Sequence, residues 1–258
     1  MTLELSGRII TERRGPILIV KINRPEARNA FDGELSAAME AALDTLDTET
    51  DIFLGIITGL GGTFSAGADL KASARGETQP HLKRGGFGAF VRPPRKPMIA
   101  AVEGYAVGGG FELCLACDLI VAARNAKFGL PEVKHNVVAR GGGLFRLPRR
   151  IPYHIAMELA LSGELREAEY FHRLGVVNRI AEPGQALEEA CRFAEGLLVN
   201  GPTGLAAAKE IIFQSANWTE EQAWREQMPI AQRALDSQDR AEGLRAFAEK
   251  RRPNWKGK

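Results

Sequence analysis

Apolar residues along this chain follow two periods, which predict strands and helices in alternation. Residues 8–14 and 17–22 are short extended runs joined by a Gly-Pro turn, the pattern of a β-hairpin. Asp32 then precedes a run whose apolar residues recur every three or four positions, which predicts a capped amphipathic helix. The continuous apolar run at residues 52–57 predicts a buried strand after that helix.

A second strand–turn–helix unit follows. Residues 98–102 predict a strand, residues 110–117 an apolar helix, and residues 119–122 another strand. This repetition favours stacked ββα turns over a single doubly wound sheet. Between the two units, residues 71–97 are polar and rich in glycine and proline, which predicts a mobile cover containing one short helix.

The pattern of predicted elements changes near residue 201. Gly201-Pro202 interrupts the pattern, and only helices are predicted beyond it. We therefore expect a core over residues 1–198 and a helical region over residues 199–258. The predicted elements after residue 150 are a strand at 176–180 and helices at 153–161, 166–174, 185–199, 203–216, 219–236 and 238–251.

Composition narrows the classes of protein. The 258 residues carry a net charge of +2, which gives no reason to expect a nucleic-acid partner. Three cysteines, two of them in an apolar helical run, indicate a reducing compartment rather than a disulfide framework. The first residues do not resemble a secretory signal, and Glu103, Glu112 and Asp118 interrupt the longest apolar region. We expect a cytoplasmic protein that does not span a membrane.

Residues 103–132 hold the strongest chemical signal. Gly108, Gly109 and Gly110 run directly into the apolar helix, so the backbone can approach a ligand and the first N–H groups have no side-chain cap. Such N–H groups suit a developing oxyanion. Glu112 opens the helix and Glu132 follows twenty residues later, after a proline. Two carboxylates beside an anion-stabilising turn predict proton transfer on an acyl group.

Simpler interpretations of these residues remain open at this point. Glu112 could be an ordinary acid in the first turn of a helix, and Glu132 a solvated turn residue. The C-x-x-C spacing of Cys114 and Cys117 in an apolar helix favours packing over redox chemistry. The four histidines lack ligand spacing, so we expect no metal site, and no nucleophile elbow, P-loop or dinucleotide fingerprint is present.

Several stretches together resemble the crotonase superfamily, most closely the enoyl-CoA hydratases. They occur in the family's order and spacing over nearly the whole chain. The matching stretches are INRPEARNA at residues 22–30, FSAGADLK at 64–71, GYAVGGGFEL at 104–113, CD at 117–118, FGLPE at 128–132 and FAEKRRP at 247–253.

The resemblance implies a fold, an activity and a site. The fold would be an α/β spiral of ββα units followed by a helical trimerisation region, assembled as a trimer or a dimer of trimers. The backbone N–H groups of Ala68 and Gly109 would form the oxyanion hole for an acyl-CoA thioester. Glu112 would act as general base and Glu132 as proton donor in adding water across the 2,3 double bond. No cofactor is implied beyond the coenzyme A (CoA) of the substrate.

The same resemblance assigns residues to substrate and CoA binding, with Asp69 also expected to cap its local turn. These residues are Ala27, Arg28, Ala66, Asp69, Leu70, Lys71, Gly108 and Arg140. Arg140 is also the one departure from the hydratase pattern, because hydratases have glycine there. An arginine could fill space or pair with a carboxylate, which bears on the water geometry and on acyl specificity.

The resemblance leaves alternatives. Within enzymes, the alternatives are a double-bond isomerase or a dehydratase of a specialised acyl-CoA. From another class, the alternative is a non-catalytic or RNA-binding crotonase relative. The weak net charge and the two glutamates argue against that last reading.

Overall fold

A seven-stranded sheet supports the site, and the computed structural model describes residues 2–5, 7–78 and 80–258. Gln79, which belongs to the predicted cover, lies outside the described residues, as do Met1 and Ser6. The strands are β1 Thr2–Leu5, β2 Ile9–Arg14, β3 Ile17–Ile22, β4 Leu54–Gly59, β5 Met98–Val102, β6 Tyr105–Val107, β7 Leu119–Ala123, β8 Lys127–Gly129, β9 Arg166–Glu167 and β10 Arg179–Ala181. The α-helices are α1 Gly33–Thr48, α2 Leu70–Ala74, α3 Gly109–Ala116, α4 Gly143–Arg146, α5 Tyr153–Ser162, α6 Ala168–Arg173, α7 Ala186–Leu197, α8 Pro202–Ser215, α9 Glu220–Leu235 and α10 Gln238–Ala248.

The strand order shows the spiral directly. The larger sheet runs β1-β2-β3-β4-β5-β7-β10, and a smaller one runs β6-β8-β9. Two successive turns of the chain each contribute one strand to each sheet, since β5 is followed by β6 and β7 by β8. The pairs β3–β4, β4–β5, β5–β7 and β6–β8 are parallel. The predicted stacking of ββα units is therefore confirmed.

Helix α1 begins where its cap was predicted. The Asp32 carboxylate accepts a hydrogen bond from Leu35 N at 2.8 Å, which satisfies one of the unpaired donors of the first turn. Its apolar face, including Met39 and Leu43, is fully buried against the larger sheet. The predicted hairpin of β2 and β3 is also present, with matched register from Ile9–Ile22 to Arg14–Ile17.

The segment predicted as a mobile cover is partly packed structure. Arg84 is only 8% exposed, and its guanidinium donates to Asp44 and Asp47 of α1 at 2.7 Å each. Its own backbone N–H donates to the Glu40 carboxylate. Residues 84–92 are thus fixed to α1 by a buried ionic group. Composition did not reveal this, because a polar, glycine-rich loop lacks an apolar pattern.

Two boundaries after residue 160 differ from prediction. Residues 166–167 are strand β9, which pairs with β8, and only then does helix α6 begin. The strand predicted at 176–180 begins at Arg179, because Asn178 uses its side chain and its backbone to bond Ile120. The three helices predicted beyond Gly201 are present. Among the described residues, none of the helices has the length and apolar character needed to cross a bilayer.

Candidate active site

Two backbone amides meet where the end of the 64–68 stretch packs on the glycine turn. Isolated bridges pair Ser65 with Ala106 and Phe31 with Ala68. Gly67 lies so close to the turn that a Cβ on it would be 3.0 Å from Gly109 N. Within the described part of the chain, neither Ala68 N nor Gly109 N has a hydrogen-bond acceptor. Both donors are therefore available to an oxyanion.

The left-handed conformation of Gly108 builds this turn. Its φ is 56° and its ψ is −126°, values that residues other than glycine rarely adopt. Gly108 N donates to Gly129 O at 2.9 Å, which ties the turn to β8. A Cβ on Gly108 would also lie 2.9 Å from Glu132 Oε1. The glycine thus lets the Glu132 carboxyl group approach the backbone.

Glu112 is held by backbone donors from a second glycine tract. It lies in the first turn of α3, is 3% exposed, and accepts a hydrogen bond from Gly143 N at 2.8 Å. Burial raises the pKa of the Glu112 carboxyl group, while hydrogen bonds from Gly143 and Gly141 and the charge of Arg146 act in the opposite direction. Burial is the largest of these influences, so the pKa of Glu112 is raised overall.

Glu132 has a different environment. Its carboxyl oxygen Oε2 is buried and has no hydrogen-bond partner among the described residues. Burial raises the pKa of Glu132, and the nearby charge of Glu112 raises it further. We expect the two carboxyl groups to titrate as a coupled unit. The pKa values of both groups are raised, but only at Glu112 do hydrogen bonds from residues 141–143 and a neighbouring arginine oppose the rise.

The remaining predicted residues lie in two segments that are joined beside Ala68, where Ala66 N donates to Arg28 O at 3.0 Å. Arg28, Ala66, Leu70 and Lys71 are exposed, and Ala27 is half-buried. Asp69 is buried, and its carboxylate accepts from Lys71 N and Ala72 N at 3.0 Å and pairs with Arg24 at 2.7 Å. Asp69 thus caps α2, as expected from its place in the turn.

Arg140 stands apart from the two carboxylates. Its side chain is exposed and, among the described residues, forms no ion pair or hydrogen bond. The pairing with a carboxylate that its charge suggested is absent from the described residues. The neighbouring Gly141–Gly143 backbone contacts Glu112 instead.

A family model described as enoyl-CoA hydratase/isomerase matches residues 12–258. The chain belongs to this family. It is 39% identical to an enoyl-CoA hydratase, EchA19, of Mycobacterium tuberculosis, over 100% of this chain and 99% of that protein. It is 42% identical to a carnitinyl-CoA dehydratase of Salmonella heidelberg, over 95% and 97% of the two chains.

Solved structures give the same assignment. A crystal structure of an enoyl-CoA hydratase from M. tuberculosis superposes with a TM-score of 0.94 at 52% identity, covering 98% of this chain and 100% of that one. A carnitinyl-CoA hydratase from Mycobacterium avium superposes at 0.78 with 39% identity, covering 98% and 99%. The crotonase fold and an enzyme of the enoyl-CoA hydratase type are thereby established.

Sequence reasoning did not single out Arg146, which borders the candidate site. Its guanidinium donates to Gly141 O at 2.8 Å and to Phe90 O. Arg146 therefore links residues 84–92 to the glycine tract that binds Glu112. The available signal was three arginines close to a glycine cluster, at positions 146, 149 and 150. That signal does not indicate which of the three arginine side chains points into the protein.

A row of aromatic rings beside the site was also missed. Phe31 and Phe87 stack with centroids 4.1 Å apart and planes 2° apart, and Phe90 stacks on Phe87 at 4.8 Å. The first two rings are buried. Only Phe31 lies near a motif in sequence. The other two lie in the polar segment, where isolated aromatic residues give no periodic signal.

Proposed function

We propose that this protein adds water across the 2,3 double bond of an enoyl-CoA thioester. The amides of Ala68 and Gly109 would bind the thioester oxygen as negative charge develops on it. Glu112 would take a proton from water while the water oxygen bonds to C3. The π electrons of the double bond move toward the carbonyl as an enolate, and Glu132 then donates a proton to C2. Proton exchange with solvent returns the pair to its starting state.

The unequal surroundings of the two glutamates carry this proposal. Glu112 receives backbone hydrogen bonds and faces the positive charge of Arg146, whereas Glu132 Oε2 has no partner among the described residues. A buried carboxyl group without donors favours its neutral form, which is the form that can give a proton. An ionised base and a protonated acid are what hydration requires.

Dehydration is the second candidate. Elimination of water from a 3-hydroxyacyl-CoA uses the same groups in reverse order, by microscopic reversibility. The observation that favours it is the 42% identity to proteins described as carnitinyl-CoA dehydratases. The same two carboxyl groups would serve in either direction, so the substrate supplied decides which reaction is seen.

Two features outside the acid–base pair extend the proposal. The exposed rim formed by Arg28, Ala66, Leu70 and Lys71 would receive CoA, with the two cations near its phosphates.

We also propose that the helical region forms a trimer or a dimer of trimers. Exposed apolar side chains on α8, α9 and α10, such as Phe213, support this, since a monomer gains nothing by exposing them. The division near residue 198 lies between α7 and α8 and stays a prediction, as does the cytoplasmic location.

Replacement of each glutamate by glutamine tests the roles. Glu112→Gln and Glu132→Gln should each lower kcat for hydration by roughly 10²–10⁴, the usual contribution of a general acid or base. The dissociation constant of a saturated acyl-CoA should change little, because glutamine keeps the shape of the pocket. Loss of the conjugated thioester's ultraviolet absorbance measures turnover, and calorimetry measures binding.

A matched control is Glu221→Gln, an exposed acid in the first turn of α9. This variant should keep normal turnover. Near-normal hydration by Glu112→Gln or Glu132→Gln would reject the assigned roles. A product with a shifted double bond would instead identify an isomerase. Absence of turnover on every enoyl-CoA and 3-hydroxyacyl-CoA tested would favour a non-catalytic relative.

A further inference from the structure

The guanidinium of Arg146 bridges two backbone carbonyl groups from distant parts of the chain. One nitrogen donates to Gly141 O at 2.8 Å, and the other donates to Phe90 O. The same guanidinium packs on Gly142, where a Cβ would lie 2.3 Å from Arg146 Nη1 and 3.0 Å from Arg146 Cζ. Gly142 also has φ 104°, so a side chain there would be strained as well as crowded. The glycine tract thus leaves room for the guanidinium.

The two bridged residues meet beside the carboxylate of Glu112. A Cβ on Gly141 would lie 2.7 Å from Glu112 Oε2 and 2.4 Å from Phe90 Cε2. The other carboxylate oxygen, Oε1, accepts the hydrogen bond from Gly143 N at 2.8 Å. A change in the separation of residues 90 and 141 would therefore alter the space in which Glu112 Oε2 lies.

Arg146 is a half-buried cation whose two hydrogen bonds to the bridged residues go to neutral carbonyl groups. Burial lowers the pKa of Arg146, and the neighbouring charge of Arg150 lowers it further, while the charge of Glu112 acts most in the opposite direction. A partly desolvated cation costs stability, and an apolar side chain would fill the same space without that cost. The guanidinium at this position therefore indicates a role beyond packing.

We propose that Arg146 is a positioning residue for Glu112, because its guanidinium joins residues 90 and 141 and so fixes the carboxylate that lies beside them. Without this bridge, residues 84–92 and the glycine tract would separate, and the carboxylate would lose its fixed direction. The inference rests on the proposed function, in which Glu112 takes a proton from water. Arg146 acts through Glu112 and transfers no proton itself.

A double-mutant cycle tests whether Arg146 acts through Glu112. Arg146→Ala alone should lower kcat for hydration of trans-2-butenoyl-CoA by about 10², the cost of about 1 Å of misplacement, with KM changed by less than about threefold. In the Glu112→Gln background, the same substitution should lower the residual rate by less than about threefold, since the group that it positions is already inactive. An equal loss in both backgrounds would overturn the proposal.

Added guanidinium gives a second readout, which a folding defect would not produce. Arg146→Ala leaves the two carbonyl groups without their donor, so millimolar guanidinium chloride, well below denaturing concentrations, should recover about tenfold of the roughly 10² lost in kcat. A kcat that does not respond would contradict the bridge. If the alanine variant does not fold, Arg146→Lys carries the test: its single ammonium lacks the planar fork, so kcat should still fall by about tenfold at unchanged Tm.

Arg149→Ala is the matched control, because Arg149 belongs to the same group of arginines but is exposed. Its guanidinium lies over the Phe145 ring, 6.0 Å from the centroid. This variant should keep the original kcat and should not respond to guanidinium. A loss in kcat equal to that of Arg146→Ala would show that any arginine of the group serves, and would overturn the proposal.

Amide hydrogen exchange separates this inference from the proposed function, because it needs no turnover. In Arg146→Ala, peptides that cover residues 84–92 and 141–146 should exchange faster than in the unmodified protein, whereas in Arg149→Ala they should not. Faster exchange in both segments, in a protein that never hydrates an enoyl-CoA, would support the bridge and reject the assigned reaction. Normal hydration by Arg146→Ala would retain the reaction and reject the positioning role.

Discussion

Gly141 lies between the Phe90 ring and the carboxylate of Glu112, the proposed base, so replacing it by alanine is a specific perturbation of Glu112. The backbone allows the change, since Gly141 is not among the glycines with positive φ. The new methyl group would lie 2.7 Å from Phe90 Cδ2 and 2.7 Å from Glu112 Oε2. Phe90 Cε2 would be closer still.

The size of the effect follows from these distances. Favourable carbon contacts begin near 3.5 Å, so the ring and the carboxylate must together give way by roughly 1 Å. Misplacement of about 1 Å at a reacting group can cost on the order of 10² in rate. Overpacking of this kind costs typically about 1–3 kcal/mol of stability, which a chain of this size can lose and remain folded. We expect kcat to fall by about 10², with a smaller change in KM.

The change in kcat of Gly141→Ala is measured from initial rates of hydration of trans-2-butenoyl-CoA, which are monitored as the loss of ultraviolet absorbance. Gly196→Ala in α7 is the control, since a Cβ there has nothing within 4 Å and alanine favours the helix. Thermal unfolding of both variants separates loss of the fold from loss of geometry. A kcat within about threefold of the original value would refute the reasoning, because it would mean that Glu112 does not need this position.

Two further predictions concern the half-buried Arg146 and the buried Arg84. Arg146→Met should move the acidic limb of the pH–rate profile to higher pH: removing the guanidinium raises the pKa of Glu112 further, and the base must be ionised to act. Arg146→Lys keeps the charge and should move the limb less; an unmoved limb in the methionine variant would contradict this account. Arg84→Met should lower the free energy of unfolding in urea by about 3–5 kcal/mol, because Asp47 is left buried without its cation. A loss below about 1 kcal/mol would mean that solvent or other donors replace the pair.

The sequence by itself determined the elements that depend on interactions between residues close together in the chain. The hairpin, the cap at Asp32 and the strand–helix repeat follow from short-range spacing, and the structure confirms each. The glycine turn could also be recognised, because left-handed backbone at Gly108 selects glycine wherever it occurs. Glu112 could be singled out for the same reason, since it lies in the first turn after that glycine.

Only the tertiary structure decided what surrounds those residues. Phe90 O and Arg146 are 56 positions apart, and Gly143 N and Glu112 are 31 apart, so no local pattern links them. The unequal environments of Glu112 and Glu132 likewise arise from which backbone donors reach each carboxyl group. Local backbone preferences act over a few residues and leave a mark in the sequence. Burial, charge proximity and ring contacts depend on distances through space, and these distances are set only when the whole spiral has folded.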